Sequence, residues 1–443
     1  MSGDDQQVFR RNVRWQIVGS FGPMVLSVLV LMVMARGLGA QGFGVFSVIM
    51  SLVLVANALF EPRMQDVAAR RFWDLSSKDK ENDRHDKAAI SLFLLEALGK
   101  LLPVLGLAAL AKVLADVGNL PPGGAWLIAL AAGGYYVSKL GFGLSVGLLR
   151  VIGRSDLYAY CVTGEVFVRL VLLIILYFAS AMSVETAILA QSVSGALSIA
   201  AQWALVSRYA VDIRRAVRAW SSARTLELLK RDRRLLLSNI GLSMSDLMTK
   251  DLDVTLISPL VPATQVGLYK MAKNIVMLAW KGIDPFYLAL MPEVNRLVSL
   301  REFGRVKSLL AKSAIGLFAI SFTLGAGAYV GVTLFGAAVF GPGFAALPQL
   351  LPYMFVGVVL SAPLVWGHPL AVALDRADLA LIGSVLGSLA GIAVFLWLVP
   401  TYGILGAGIG WTTTFIVNFG FTSTLSLRQL RRHRARIGSE KLA

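Results

Sequence analysis

Three lysines share one apolar segment: Lys270, Lys273 and Lys281. Eleven residues at about 100° each return almost to the start of a helical wheel, so on a helix the three form a stripe about 16 Å long. A lysine at the centre of a membrane span costs about 2.5–3.5 kcal/mol on insertion scales, so such a stripe should face a partner or a water-filled cavity. Lys270 and Lys273 have no acid on their own helix face, and Lys139 is unaccompanied in its own segment. The chemistry that suits an excess of buried cations is the reception of an anion.

Other charges in apolar segments have plainer readings beside this one. Glu96 and Lys100 are four apart, as are Glu165 and Arg169, and each pair can neutralise itself on one helix. Asp246, Lys250 and Asp253 share a face and can do the same, whereas Arg36 and Lys112 stand near segment ends and can snorkel. For these, structural and functional readings both stand. The candidate substrate-binding residues are therefore Arg36, Lys100, Lys139, Arg169, Lys250, Lys270, Lys273 and Lys281, with Glu165, Asp246 and Asp253 as candidate ion-coupling acids. The remaining membrane acids, Glu96, Asp251 and Asp284, are not in that set.

Much other chemistry has no residues to carry it. One cysteine, Cys161, and three scattered histidines, His85, His368 and His433, give no metal-ligand spacing. No GxxxxGK[ST] loop is present, and no Ser/His/Asp or Cys/His constellation can be assembled. We expect no cofactor and no enzyme activity. A membrane glycosyltransferase or polymerase would usually bring a sizeable charged outward loop, and the outward loops here are short. Nucleic acid is not an expected partner either, because no basic patch is interleaved with exposed aromatics.

The elements that position these charges follow from composition. The chain has 443 residues, is 56% hydrophobic and is only 15% charged. A soluble domain carries about 25% charged residues, so lipid is the natural solvent for the rest of this surface. A span needs about 20 apolar residues. Twelve are expected, near 15–36, 43–60, 88–114, 125–149, 157–178, 186–206, 235–257, 266–290, 313–335, 346–372, 379–398 and 404–427. With a cytoplasmic N-terminus, 33 of the 42 basic residues fall in inward segments and none in the six outward loops, as the positive-inside rule requires. Both ends are then cytoplasmic. The first apolar stretch is full length and reads as a signal anchor. The basic stretch 208–234 is either a linker between two halves or a surface helix on anionic headgroups.

A faint internal copy recurs at an offset of 222–223 residues. Gly44-Val45-Phe46 matches Gly267-Leu268-Tyr269, Glu61-Pro62 matches Asp284-Pro285, and Arg154-Ser155-Asp156-Leu157 matches Arg376-Ala377-Asp378-Leu379. Six spans per half is an even number, so the halves share an orientation and relate by an axis along the membrane normal. The expected organisation is an N-terminal lobe at 1–207, a basic linker at 208–234, a C-terminal lobe at 235–430 and a basic tail at 431–443.

Ala35-Arg36-Gly37-Leu38-Gly39 followed by Gly42-Phe43-Gly44-Val45-Phe46-Ser47, and Gly147-Leu148-Leu149-Arg150-Val151-Ile152-Gly153-Arg154, resemble segments of bacterial polysaccharide flippases. The stretch from Asp253 through Gly267-Leu268-Tyr269-Lys270-Met271-Ala272 to Pro292 is similar to their seventh and eighth spans. These proteins belong to the multidrug/oligosaccharidyl-lipid/polysaccharide exporter superfamily. The resemblance implies an all-α polytopic membrane protein with two six-helix lobes forming a V around a central cavity. It implies translocation of an undecaprenyl-pyrophosphate-linked oligosaccharide across the bacterial inner membrane, the head group held by the cations and the lipid tail left in the bilayer. Polysaccharide polymerase and chain-length regulator are the partners it suggests, besides membrane lipids. Two relatives compete. A multidrug and toxin extrusion antiporter would place an acid in its opening helices, and span one here has none. A peptidoglycan-precursor flippase usually carries further C-terminal spans. A scaffold protein gains nothing from buried charge.

Overall fold

The computed structural model describes residues 3–60, 63–72, 83–118, 120–212, 217–218, 220, 222–245 and 251–440, with side chains between 22 and 433 except at 83–87 and a few single positions. Every regular element among them is helical. The chain divides into two compact units, Met1–Leu247 and Met248–Ala443. The sequence places the second lobe's start at 235, but helix α8, Ser222–Ser245, runs through that point and packs with the first unit.

The first unit holds α1 (Gly3–Ala58), α2 (Met64–Arg71), α3 (Asp83–Val117), α4 (Gly124–Ser138), α5 (Phe142–Val151), α6 (Ser155–Phe178), α7 (Val184–Tyr209) and α8. The second holds α9 (Leu252–Ile257), α10 (Ala263–Lys281), α11 (Asp284–Ser299), α12 (Phe303–Phe340), α13 (Leu347–Ser361), α14 (Gly367–Ala373), α15 (Asp378–Tyr402) and α16 (Ile404–Glu440). Among the described residues, nine helical stretches are long and apolar enough to cross a membrane. The chain is a multi-pass membrane protein. Its apolar surface fits that solvent: Phe178 is 80% exposed and Trp397 75% exposed, which only lipid would cover favourably.

Two expected boundaries differ from the structure for identifiable reasons. Spans one and two fall in one helical run, interrupted only at Gly39 (φ 64°, ψ 178°). That backbone conformation suits glycine, which carries no Cβ to clash. The expected eighth span, 266–290, is broken: α10 ends at Lys281 and α11 opens at Asp284. Pro285 is the cause, since a proline is tolerated in the first turn of a helix but not in its interior.

Each unit also has a broken span in the corresponding place. In the first, α4 stops at Ser138 and α5 begins at Phe142. In the second, α13 stops at Ser361, a 3-10 turn covers Ala362–Leu364, and α14 follows from Gly367. At an offset of 222 the two breaks coincide.

Candidate functional site

The break between α4 and α5 is built around buried charge. Gly141 takes the left-handed φ of 67° that turns the chain, in a place so tight that a Cβ would lie 2.6 Å from the rings of Phe93 and Trp203. Facing this turn from α3 are Glu96, 1% exposed, and Lys100, 4% exposed. Both Glu96 carboxylate oxygens accept first-turn amides of α5, from Gly143 N at 2.8 Å and Leu144 N at 3.0 Å. Lys100 Nζ donates to Glu96 Oε1 at 2.5 Å and to the carbonyl of Lys139 at 2.8 Å. The carboxylate thus meets the positive end of one helix and the ammonium the negative end of the other.

Lys139, held by its carbonyl at this break, extends toward α6. Its Nζ lies 3.5 Å from Glu165 Oε1 and 4.6 Å from the centroid of the Phe142 ring. The same Glu165 oxygen accepts from Arg169 Nη2 at 2.7 Å, and Arg169 Nε donates to Ser194 Oγ at 3.3 Å. Together they line a cavity of about 240 Å³ with Tyr135, Ser138 and Gln191. Two cations converge here on one carboxylate. The cluster therefore carries a net positive charge in a partly dry setting, where an anion's attraction is several times its value in water.

The second unit answers its charges differently. Lys273 and Asp253 are buried together, with Nζ 2.7 and 2.8 Å from the two carboxylate oxygens. Tyr269 OH adds a hydrogen bond to Asp253 Oδ2 at 2.5 Å, and Lys270 pairs with Asp251. Lys270 and Lys273 indeed have no acid on their own helix. Their acids come from the turn and helix just before it, nineteen and twenty residues back. The stripe is thus balanced charge for charge at two of its three positions, and Lys281 stands exposed at the helix end.

The remaining candidates are dispersed. Arg36 is exposed on α1. Lys100 is engaged by Glu96 and a backbone carbonyl, and it is not among the residues lining this cavity. Asp246 and Lys250 lie outside the described residues, and Asp253 has Lys273 for a partner. Sequence reasoning missed Tyr269, Asp251 and the polar wall of α7. The last had a signal: Gln191, Ser194, Ser198 and Gln202 recur every three or four residues, one helical stripe in a mostly apolar span. Tyr269 and Asp251 had none, because their partners depend on how two helices pack.

The described residues thus form a helical membrane protein with a charged cavity inside its first unit, and no metal-ligand cluster occurs among them. Residues 9–298 match the family model described as polysaccharide biosynthesis protein, and the chain belongs to that family. Its fold is shared with solved members of a transporter superfamily. One is an inward-facing multidrug resistance MATE family transporter of the MOP superfamily, with TM-score 0.72, 17% identity, and coverage of 96% of this chain and 99% of the other. Another is the lipid II flippase MurJ, with TM-score 0.70, 12% identity, and coverage of 94% and 89%. A third is the Vibrio cholerae MATE transporter VcmN, with TM-score 0.57, 16% identity, and coverage of 96% and 98%. No curated protein matches the chain by sequence.

Proposed function

We propose that this protein flips an undecaprenyl-pyrophosphate-linked oligosaccharide from the cytoplasmic to the periplasmic leaflet of a bacterial inner membrane, by alternating access of its two halves. The observation that carries this reading is the cavity between α4, α6 and α7, where Lys139 and Arg169 share the single carboxylate of Glu165. A diphosphate would displace Glu165 from one or both cations, gaining charge-assisted hydrogen bonds in a low dielectric. The guanidinium suits this task, since its fork can hold two phosphate oxygens. Membership of the polysaccharide biosynthesis family supports a lipid-linked glycan as cargo.

The rest of the reading rests on the sequence. Both termini are cytoplasmic by the distribution of basic residues. Glu165 also serves as the candidate coupling acid, because it must release its cations when the head group arrives. Lys270, Lys273, Lys281 and Arg36 take a secondary place in head-group binding, and a polysaccharide polymerase and chain-length regulator are the proposed partners.

A clean deletion in the host tests this directly. Surface or secreted polysaccharide would be quantified and undecaprenyl-linked intermediates extracted, with complementation by wild type and by Lys139→Ala/Arg169→Ala. Lost polymer with lipid-linked units trapped on the cytoplasmic side, unrescued by a normally expressed double variant, is the expected result. Normal polymer with altered drug tolerance would replace this reading with a multidrug exporter. Accumulated peptidoglycan precursor would replace it with a lipid II flippase.

A further inference from the structure

The Glu96–Lys100 pair is costly where it stands. Two charges taken out of water pay a desolvation penalty that their attraction often fails to recover. A break in a membrane helix does not by itself demand such a device, and the second unit shows the alternative. There the break is held by neutral groups, with Val365 N donating to Ala362 O at 3.2 Å and Leu370 N to Trp366 O at 3.1 Å, while Ser423 Oγ and Ser426 Oγ of α16 donate to the carbonyls of Leu364 at 2.7 Å and Gly367 at 3.1 Å. No Lys, Arg, Asp or Glu occurs from Ser313 to Leu374. At the repeat offset of Glu96 and Lys100 stand Phe318 and Phe322, or one residue on, Ala319 and Thr323. The break that has the ion pair is the one that carries Lys139.

The contacts explain what the pair adds. Glu96 fixes the start of α5 through two amides, and Lys100 fixes the carbonyl of Lys139 itself. Between them the three residues of the break are held from both sides. The direction of the Lys139 side chain follows from that backbone, and Lys139 Nζ reaches Glu165 in the cavity. We propose that Glu96 and Lys100 are positioning residues for the anion site, acting on the ligand only through Lys139. The inference rests on the cavity being the anion site.

The test is a binding cycle on the purified full chain in lipid nanodiscs, with undecaprenyl diphosphate as the probe. Four proteins are compared: wild type, Lys139→Ala, Glu96→Gln/Lys100→Gln, and the triple variant. The neutral double variant leaves one acceptor oxygen for the two α5 amides and a shorter donor for the Lys139 carbonyl, so it loosens the break, while it avoids leaving one buried charge alone. Lys139→Ala is expected to weaken binding about tenfold and the double variant about fivefold, while the triple variant is no weaker than Lys139→Ala alone, because coupled residues are non-additive. Losses that simply add in the triple variant would overturn the inference, since the pair would then act independently of Lys139. Unchanged affinity in the double variant would overturn it as well. If Lys139→Ala itself costs nothing, the cavity reading fails first, a result distinguishable from the other two. Should the double variant not accumulate, Lys100→Arg, which keeps the charge but displaces the donor, enters the same cycle with the same two outcomes.

Discussion

Arg154 and Arg376, 222 residues apart in sequence, occupy the same local structure. Each follows a residue with left-handed φ, Gly153 at 71° and Asp375 at 56°. Each donates its amide to a carbonyl five residues back, Leu149 O at 2.9 Å and Ala371 O at 2.8 Å, while the preceding amide reaches three back. This is the Schellman end of a helix. Each guanidinium then grips the aspartate two residues on, Asp156 at 3.2 and 3.3 Å and Asp378 at 2.9 Å twice. The repeat seen faintly in sequence is thus a repeat of hydrogen bonds. Of the other two matches, Glu61 and Pro62 lie outside the described residues.

The two copies differ at the left-handed residue itself, Gly153 against Asp375, and that difference is testable. Gly153→Ala puts a Cβ on a left-handed position and should destabilise by about 1 kcal/mol. Asp375→Gly relieves the same conformation and should leave the melting midpoint unchanged or slightly raised. Fluorescence-detected thermal unfolding of the detergent-solubilised protein reads both.

Glu165→Gln removes the one carboxylate between Lys139 and Arg169. Binding of undecaprenyl diphosphate should tighten by about three- to tenfold, roughly 1 kcal/mol. Turnover should slow, since release now competes with two unshared cations. A variant that binds more weakly than wild type would show that Glu165 contributes to the ligand site directly.

Lys273 and Asp253 are each 3% exposed at the side chain, so removing either one breaks a buried ion pair. Lys273→Met or Asp253→Leu alone should cost about 3–5 kcal/mol, and the double variant should recover most of that. Abundance in the membrane and the melting midpoint measure the difference. Equal losses in the single and double variants would give the pair a role beyond mutual neutralisation.

Helices α15 and α16 meet through Gly383, Gly387 and Gly391, spaced by four. A Cβ at Gly391 would lie 1.8 Å from Thr414 Oγ1, and one at Gly387 2.6 Å from the Thr414 carbonyl. Small residues let helix backbones approach closely in lipid. Gly387→Leu should separate the two helices and abolish a monodisperse size-exclusion peak, whereas Gly420→Ala, with open space at its Cβ, should not.

The sequence by itself determined the class of this protein. Helical spans, their apolar lengths and the segregation of basic residues are local properties, because in hydrocarbon each backbone amide must be satisfied within its own helix. The same locality made Glu96–Lys100 and Glu165–Arg169 legible as pairs four apart, and both form. Tertiary structure decided which charges remain in excess. Lys139 meets an acid 26 residues away and Lys273 one 20 residues away, across helices whose facing depends on packing. That packing pairs Lys270 and Lys273 of α10 with acids from outside the helix and leaves Lys139 and Arg169 sharing one carboxylate beside the break between α4 and α5. Spacing along a chain fixes what a helix shows on each face, but only the assembled helices fix what each face sees.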